Sequence, residues 1–182
     1  MKEGLGDNRG IAQCHITLGE VYRAQRDPAQ AIEHLEQALF IARQIGASQT
    51  EAECQQQLAE CYVENNDPDR ALSISREALN AAQAISDLKE AAFIYRVMGN
   101  AYRQKRDLDA AILHLGQSIK ILLELNREFD LGTARYDIAQ VLIEAGQIDR
   151  ARAELLDAVA LFGKLELPQE QTKAQAALDQ LK

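Results

Sequence analysis

Residues 18–39 read LGEVYRAQRDPAQAIEHLEQAL, and this stretch decides the fold. Near its middle stands Asp27-Pro28. An aspartate placed just before a helix accepts a hydrogen bond from one of the free N–H groups at the helix start. Proline is tolerated at the first helical position, where its missing N–H leaves no bond unmade. The segment therefore reads as the end of one helix, a tight turn, and the start of a second helix. Forty positions on, residues 58–79 repeat it as LAECYVENNDPDRALSISREAL. Residues 98–119 give MGNAYRQKRDLDAAILHLGQSI, and residues 138–159 give IAQVLIEAGQIDRARAELLDAV. Self-similarity at a fixed period in this range is the signature of stacked structural repeats.

The aligned columns have physical readings. Gly19, Ala59, Gly99 and Ala139 share one column, Ala31, Ala71, Ala111 and Ala151 another, and Ala38, Ala78, Ser118 and Ala158 a third. Small side chains at matched positions mark where two helices approach closely. The large residues Leu18, Tyr22, Leu35 and Leu39 are expected to fill the space between them. Ser48 with Glu51, and Asp87 with Glu90, have capping-box spacing. The pattern predicts helices near 9–25, 28–45, 49–65, 68–85, 88–105, 108–125, 128–145 and 148–165, with a last helix from Pro168 to the end. The expected units are 7–46, 47–86, 87–126 and 127–166. Residues 167–182 are expected to form a capping helix and residues 1–6 the tail of a preceding repeat, so that the chain reads as part of a longer protein.

Composition agrees with an all-α chain of 182 residues. Hydrophobic residues make up 47%, there are only 3 prolines, and Ala, Leu, Ile, Gln and Glu dominate. These are mostly good helix formers. The net charge of −8 argues against nucleic acid or an anionic membrane as the main partner, because such binding rests on dense Lys and Arg. No apolar run approaches the length that spans a bilayer, and no signal peptide is visible. Cys14, Cys54 and Cys61 form no CxxC and read as small buried thiols in a reducing compartment, so the expected location is cytoplasmic.

The columns resemble the tetratricopeptide repeat: a Leu-Gly-x-x-Tyr element on the first helix, as in LGEVY at 18–22 and MGNAY at 98–102, and two Ala positions seven apart on the second. The longer unit, whose second helix ends in ARQIG at 42–46, is similar to repeats of bacterial signalling and transcription regulators and of kinesin light chain. The resemblance implies a right-handed α-α superhelix of four helical hairpins plus a capping helix. It also implies a scaffold whose first helices line a concave, ligand-holding face.

By that resemblance the inward positions are Gln13, Ile16, Glu20 and Arg23; Glu53, Gln56, Glu60 and Val63; Phe93, Arg96, Asn100 and Arg103; and Thr133, Tyr136, Gln140 and Ile143. The candidate peptide-binding set is Arg96, Asn100, Arg103, Tyr136, Gln140, Glu20 and Glu60. Arg96, Asn100 and Arg103 share one helical stripe. An Asn amide both donates and accepts, so it pairs with any peptide backbone, and Arg forks onto carboxylates. The third unit has a net charge of +1 against −5 for the second, and Lys105 and Arg106 read as a solvated helix end.

Signatures of catalysis are missing from the sequence. It contains no GxGxxG, no phosphate-binding loop and no HExxH. His34 and His114 share a column, as structural positions do, and Glu20, Glu60 and Glu64 read as solvated. The expected function is therefore a non-enzymatic, cofactor-free scaffold for a protein or peptide. Two alternatives stand beside it: a sensor domain of a larger bacterial signalling or transcription protein, and a module that self-associates through its repeat ends.

Overall fold

The computed structural model describes the backbone of residues 2–181 and the side chains of residues 8–181. The assignment of residues 1–6 to a preceding repeat lies outside the residues whose side chains are described. Among the described residues every regular element is an α-helix: α1 (Lys2–Ala24), α2 (Pro28–Ile45), α3 (Ser48–Glu64), α4 (Pro68–Ala84), α5 (Leu88–Gln104), α6 (Leu108–Glu124), α7 (Glu128–Glu144), α8 (Ile148–Lys164) and α9 (Pro168–Asp179). The fold is the expected array of helical hairpins closed by a further helix. Most boundaries fall within a residue or two of the pattern. α1 begins earlier than the expected residue 9, and α9 stops at Asp179.

The chain divides into two compact units, Met1–Ala81 and Ala82–Lys182. In the first, α1 packs on α2, and α2 on α3. In the second, α5 packs on α6, α6 on α7, α7 on α8, and α8 on α9. The first helices also touch one another, α1 with α3 and α5 with α7.

The turns obey a shorter period than the columns suggest. Arg26, Gly46, Asn66, Ser86, Arg106, Asn126, Gly146 and Glu166 stand at twenty-residue intervals and all have φ between 52° and 72°. At each, the next residue donates its N–H to a carbonyl five residues back. Asp27 bonds Tyr22 at 2.9 Å, Ala47 bonds Ala42 at 2.9 Å, Gln147 bonds Leu142 at 2.8 Å and Leu167 bonds Phe162 at 3.0 Å. This is the Schellman closure, which satisfies carbonyls left open at a helix end. The turn within a hairpin and the turn between hairpins are thus the same device. Gly146 has open space where a Cβ would stand, so Gly146→Ala isolates the backbone cost of the left-handed conformation. It should lower stability by about 1 kcal/mol, read as a shifted urea midpoint. An unchanged midpoint would show that the turn carries no strain.

Caps follow the sequence unevenly. Asp27, Asp87 and Asp107 accept from Gln30, Glu90 and Ala110 N–H at 3.1, 2.9 and 3.1 Å. Ser48 is not a cap: it is the first residue of α3, Ala47 holds the cap position, and no side chain bonds there. Glu51 instead meets Arg43 at 2.9 Å. Only half of the second capping box forms, since Asp87 caps but Glu90 Oε1 is buried without a hydrogen-bond partner. Burial, with Asp87 close by, pushes the Glu90 carboxyl above its ordinary pKa.

Packing explains the small columns. A Cβ on Gly19 would lie 2.8 Å from Leu35 Cγ, and one on Gly99 2.5 Å from Leu115 Cγ. Leu35 and Leu115 are fully buried, each contributing about 2 kcal/mol of apolar burial. His34 stacks on Tyr22 with ring centroids 5.3 Å apart, and His114 on Tyr102 at 5.1 Å, so the shared column is a packing position. Cys54 and Cys61 are buried, and burial pushes both thiols up to about 12. Cys14 corrects the expectation, because it is exposed. Leu18 is exposed too and fills no interior space, whereas Ile16, expected on the inward face, is buried.

Candidate functional site

The candidate residues fall in both units, Glu20 and Glu60 in the first and the other five in the second. In the second unit α5 and α7 lie side by side, and their facing side chains are bonded to each other. Arg96 Nη1 reaches Asp137 Oδ2 at 3.2 Å, and Asn100 Nδ2 donates to the same oxygen at 2.9 Å. One helical turn further along α5, Arg103 donates through Nε to Glu144 Oε1 at 2.7 Å. Arg106, read from sequence as part of a solvated helix end, donates to Glu144 Oε2 at 2.9 Å. Tyr136 and Gln140 lie half-buried on α7. Lys173 of α9 stands over the Tyr136 ring, its Nζ 4.5 Å from the centroid, a cation–π arrangement. Burial, with Asp137 nearby, raises the Tyr136 hydroxyl pKa.

The first unit shows the same arrangement. Arg23 of α1 pairs with Glu60 at 2.5 Å and with Glu64 at 2.7 Å on α3. Gln57 donates to Glu20 at 3.2 Å. Glu60 and Glu64, read from sequence as solvated, therefore form a cross-link between neighbouring first helices. Arg23 with Glu64 and Arg103 with Glu144 are the same pair two repeats apart. In each the acid follows the arginine by 41 positions, one full repeat and one residue.

The structure thus brings Arg96, Asn100 and Arg103 together on one face and places Tyr136 and Gln140 on the adjoining helix. It also supplies partners that sequence reasoning missed, Asp137 and Glu144. The signal was present as the 41-residue offset between Arg and Glu columns. Its meaning depended on how far each first helix is rotated against the next. Chemically the face is a lattice of oriented donors and acceptors in partial shelter from water, where charged hydrogen bonds are stronger than on an open surface. Among the described residues no three His, Cys, Asp or Glu side chains are grouped to hold a metal ion. Nor is any described helix long and apolar enough to cross a membrane.

Known proteins agree with this architecture. The crystal structure of apo RapI matches at a TM-score of 0.80 with 16% identity, over 91% of this chain and 60% of that one. Aspartyl phosphate phosphatase F from Bacillus subtilis matches at 0.82 with 18% identity, over 92% of this chain and 44% of that one. A kinesin light chain protein of nearly identical TPR-like repeats from Podosopora anserina matches at 0.69 with 19% identity, over 92% of this chain and 87% of that one. At these identities the likeness is one of fold. The chain spans 60% and 44% of the first two proteins. No curated protein sequence matches. The sequence profile of the tetratricopeptide repeat matches residues 10–84 and 51–124, together well over half of the chain. With its paired helices, small-residue columns and recurring turns, the chain belongs to the tetratricopeptide repeat family.

Proposed function

We propose that the protein is a scaffold that holds a segment of another protein on the face built by α5, α7 and α9. The observation that carries this reading is the convergence of Arg96 and Asn100 on one oxygen of Asp137, half-sheltered between two first helices. The side chains are pre-oriented, so an incoming peptide meets groups that lose little further freedom on binding. Asn100 gives Asp137 one of its two amide N–H donors, and its carbonyl oxygen is an acceptor as well. The face can therefore bond a peptide carbonyl or carboxylate while the internal pairs persist. Tyr136, with Lys173 over its ring, adds an aromatic surface beside them.

The test uses peptides selected by display against the whole chain, with affinity read by fluorescence anisotropy. Asn100→Ala combined with Arg103→Ala should weaken binding by more than about tenfold, equivalent to ~1.4 kcal/mol. Leu156→Ala, an exposed position on α8, should leave it unchanged. Equal affinity in the double variant and the parent would remove this site.

A second reading has its own support. Because the chain spans 60% of RapI and 44% of phosphatase F, it also suits a module within a larger regulatory protein. In that setting binding on the repeat face would act on a neighbouring domain. An effector domain encoded beside these residues in the gene would support this reading, and its absence there would count against it.

A further inference from the structure

Between α6, α7 and α8 the second unit holds a cleft of about 360 Å³. Its apolar walls come from three helices: Leu123 of α6, Leu131 of α7, and Ala160 and Leu161 of α8. Leu131 is buried and Leu161 half-buried, while Leu123 is 50% exposed. The charged side chains of Arg135, Asp157 and Lys164 complete the lining. The cleft lies inside the array, since α5 packs on α6 and α9 packs on α8. The places on either side of it are already taken by helices of this chain.

The first unit fills the same columns differently. Two repeats earlier, the columns of Leu123, Leu131 and Asp157 hold Arg43, Glu51 and Glu77. There Arg43 bonds Glu51 at 2.9 Å and Glu77 at 2.7 Å, an ionic bridge across α2, α3 and α4. In the second unit leucine replaces both the arginine and the first acid, and the bridge gives way to an apolar cleft. The remaining acid, Asp157, meets Arg135 Nη1 at 3.0 Å, and Glu154 meets the same nitrogen at 2.5 Å. Lys164 is bonded to Glu128. Both cations of the cleft are thus matched by carboxylates of the chain, so an anionic ligand would have to displace one. One donor is unmet: Arg135 Nε is buried and has no hydrogen-bond partner. That state is costly for a donor, so the guanidinium gains from an acceptor brought into the cleft. We propose that the cleft binds a small, uncharged, largely apolar molecule that carries a carbonyl oxygen. Its apolar body packs against the three leucines, and its carbonyl accepts from Arg135. Apolar walls with a few fixed polar groups, around a space of roughly 300–1,000 Å³, are the usual make-up of a small-ligand site. None of the lining residues belongs to the peptide face proposed above, and the inference does not depend on that face.

The probe is acetophenone, titrated against the full chain and followed through the methyl resonances of Leu131 and Leu161. The expected result is saturable shifts with a Kd on the order of 1 mM. Ethylbenzene, which lacks the carbonyl, and benzoate, which is anionic, should bind about fivefold more weakly or worse. Leu123→Arg should rebuild the bridge that Arg43 makes in the first unit and weaken acetophenone about tenfold. Leu113→Arg, at an exposed leucine of α6 outside the cleft, should leave binding unchanged. Leu123 is half exposed, so its variant should keep the parent's far-ultraviolet spectrum. Four results overturn the proposal. The first is no saturable shift in the parent chain. The second is benzoate bound as tightly as acetophenone, which would make the cleft an anion site. The third is ethylbenzene bound as tightly, which would leave the carbonyl without a role. The fourth is full binding in Leu123→Arg, which would place the ligand elsewhere.

Discussion

Gly99→Val should cost about 3 kcal/mol, seen as a fall in melting temperature on the order of 10 °C for a chain of this size. The cause is local. Even a bare Cβ at Gly99 would stand 2.5 Å from Leu115 Cγ and 3.2 Å from the Ala111 carbonyl oxygen. Leu115 is fully buried, so α5 and α6 must part or Leu115 must leave its rotamer. Leu115→Ala alone should also be costly, by about 3 kcal/mol, through lost burial and a residual cavity. The double variant separates a specific clash from general weakness. Valine would occupy the room that Leu115 gives up, so the pair should lose about 1–2 kcal/mol less than the sum of the singles. Strict additivity would show that the small column is not there for this contact. The chain hints at the exchange, since the second repeat carries Ala59 and Ser75 where the third has Gly99 and Leu115.

Asp137→Ala is expected to destabilise the protein by about 2 kcal/mol. Arg96 and Asn100 share one oxygen of this carboxylate, and the Arg96 and Asp137 side chains are 20% and 17% exposed. Removing the acceptor leaves sheltered donors to be resolvated in a space shaped for a carboxylate. Glu77→Ala is the comparison. Its partner Arg43 lies at 2.7 Å, but the two side chains are 53% and 46% exposed, so the loss should stay below about 1 kcal/mol. Salt should sharpen the contrast. At 1 M the Glu77 effect should vanish by screening, while most of the Asp137 effect persists. Equal losses, or equal sensitivity to salt, would mean that the α5–α7 pair is an ordinary surface contact.

The fold was legible in the sequence because repetition converts weak local signals into strong ones. One Asp-Pro pair is a common turn; the same pair forty residues apart, each followed by alanines at fixed offsets, is an architecture. Three features were not legible, for separate reasons. The left-handed residues at Ser86, Asn126 and Glu166 carry no glycine to announce them, so the twenty-residue period of the turns stayed hidden behind the forty-residue period of the side chains. The exposure of Cys14 and Leu18 depends on what stands beside α1, which a column alignment does not record. The carboxylate partners of Arg96 and Arg103 depend on the rotation between adjacent first helices, which no single-helix pattern records. For this reason the shared stripe of Arg96, Asn100 and Arg103 was legible, while the bonds that orient these side chains were missed.

The uniform turn has a consequence for how such a chain can change length. Since one joint serves both inside and between hairpins, a single helix with its joint is the smallest interchangeable part. Gaining or losing a segment of that size leaves the backbone path through every remaining corner unaltered. What it disturbs is the alternation of first and second helices, because a helix that had opened a hairpin would now close one. Duplication by twenty is thus cheap for the main chain and disruptive for the side-chain columns, whereas duplication by forty preserves both.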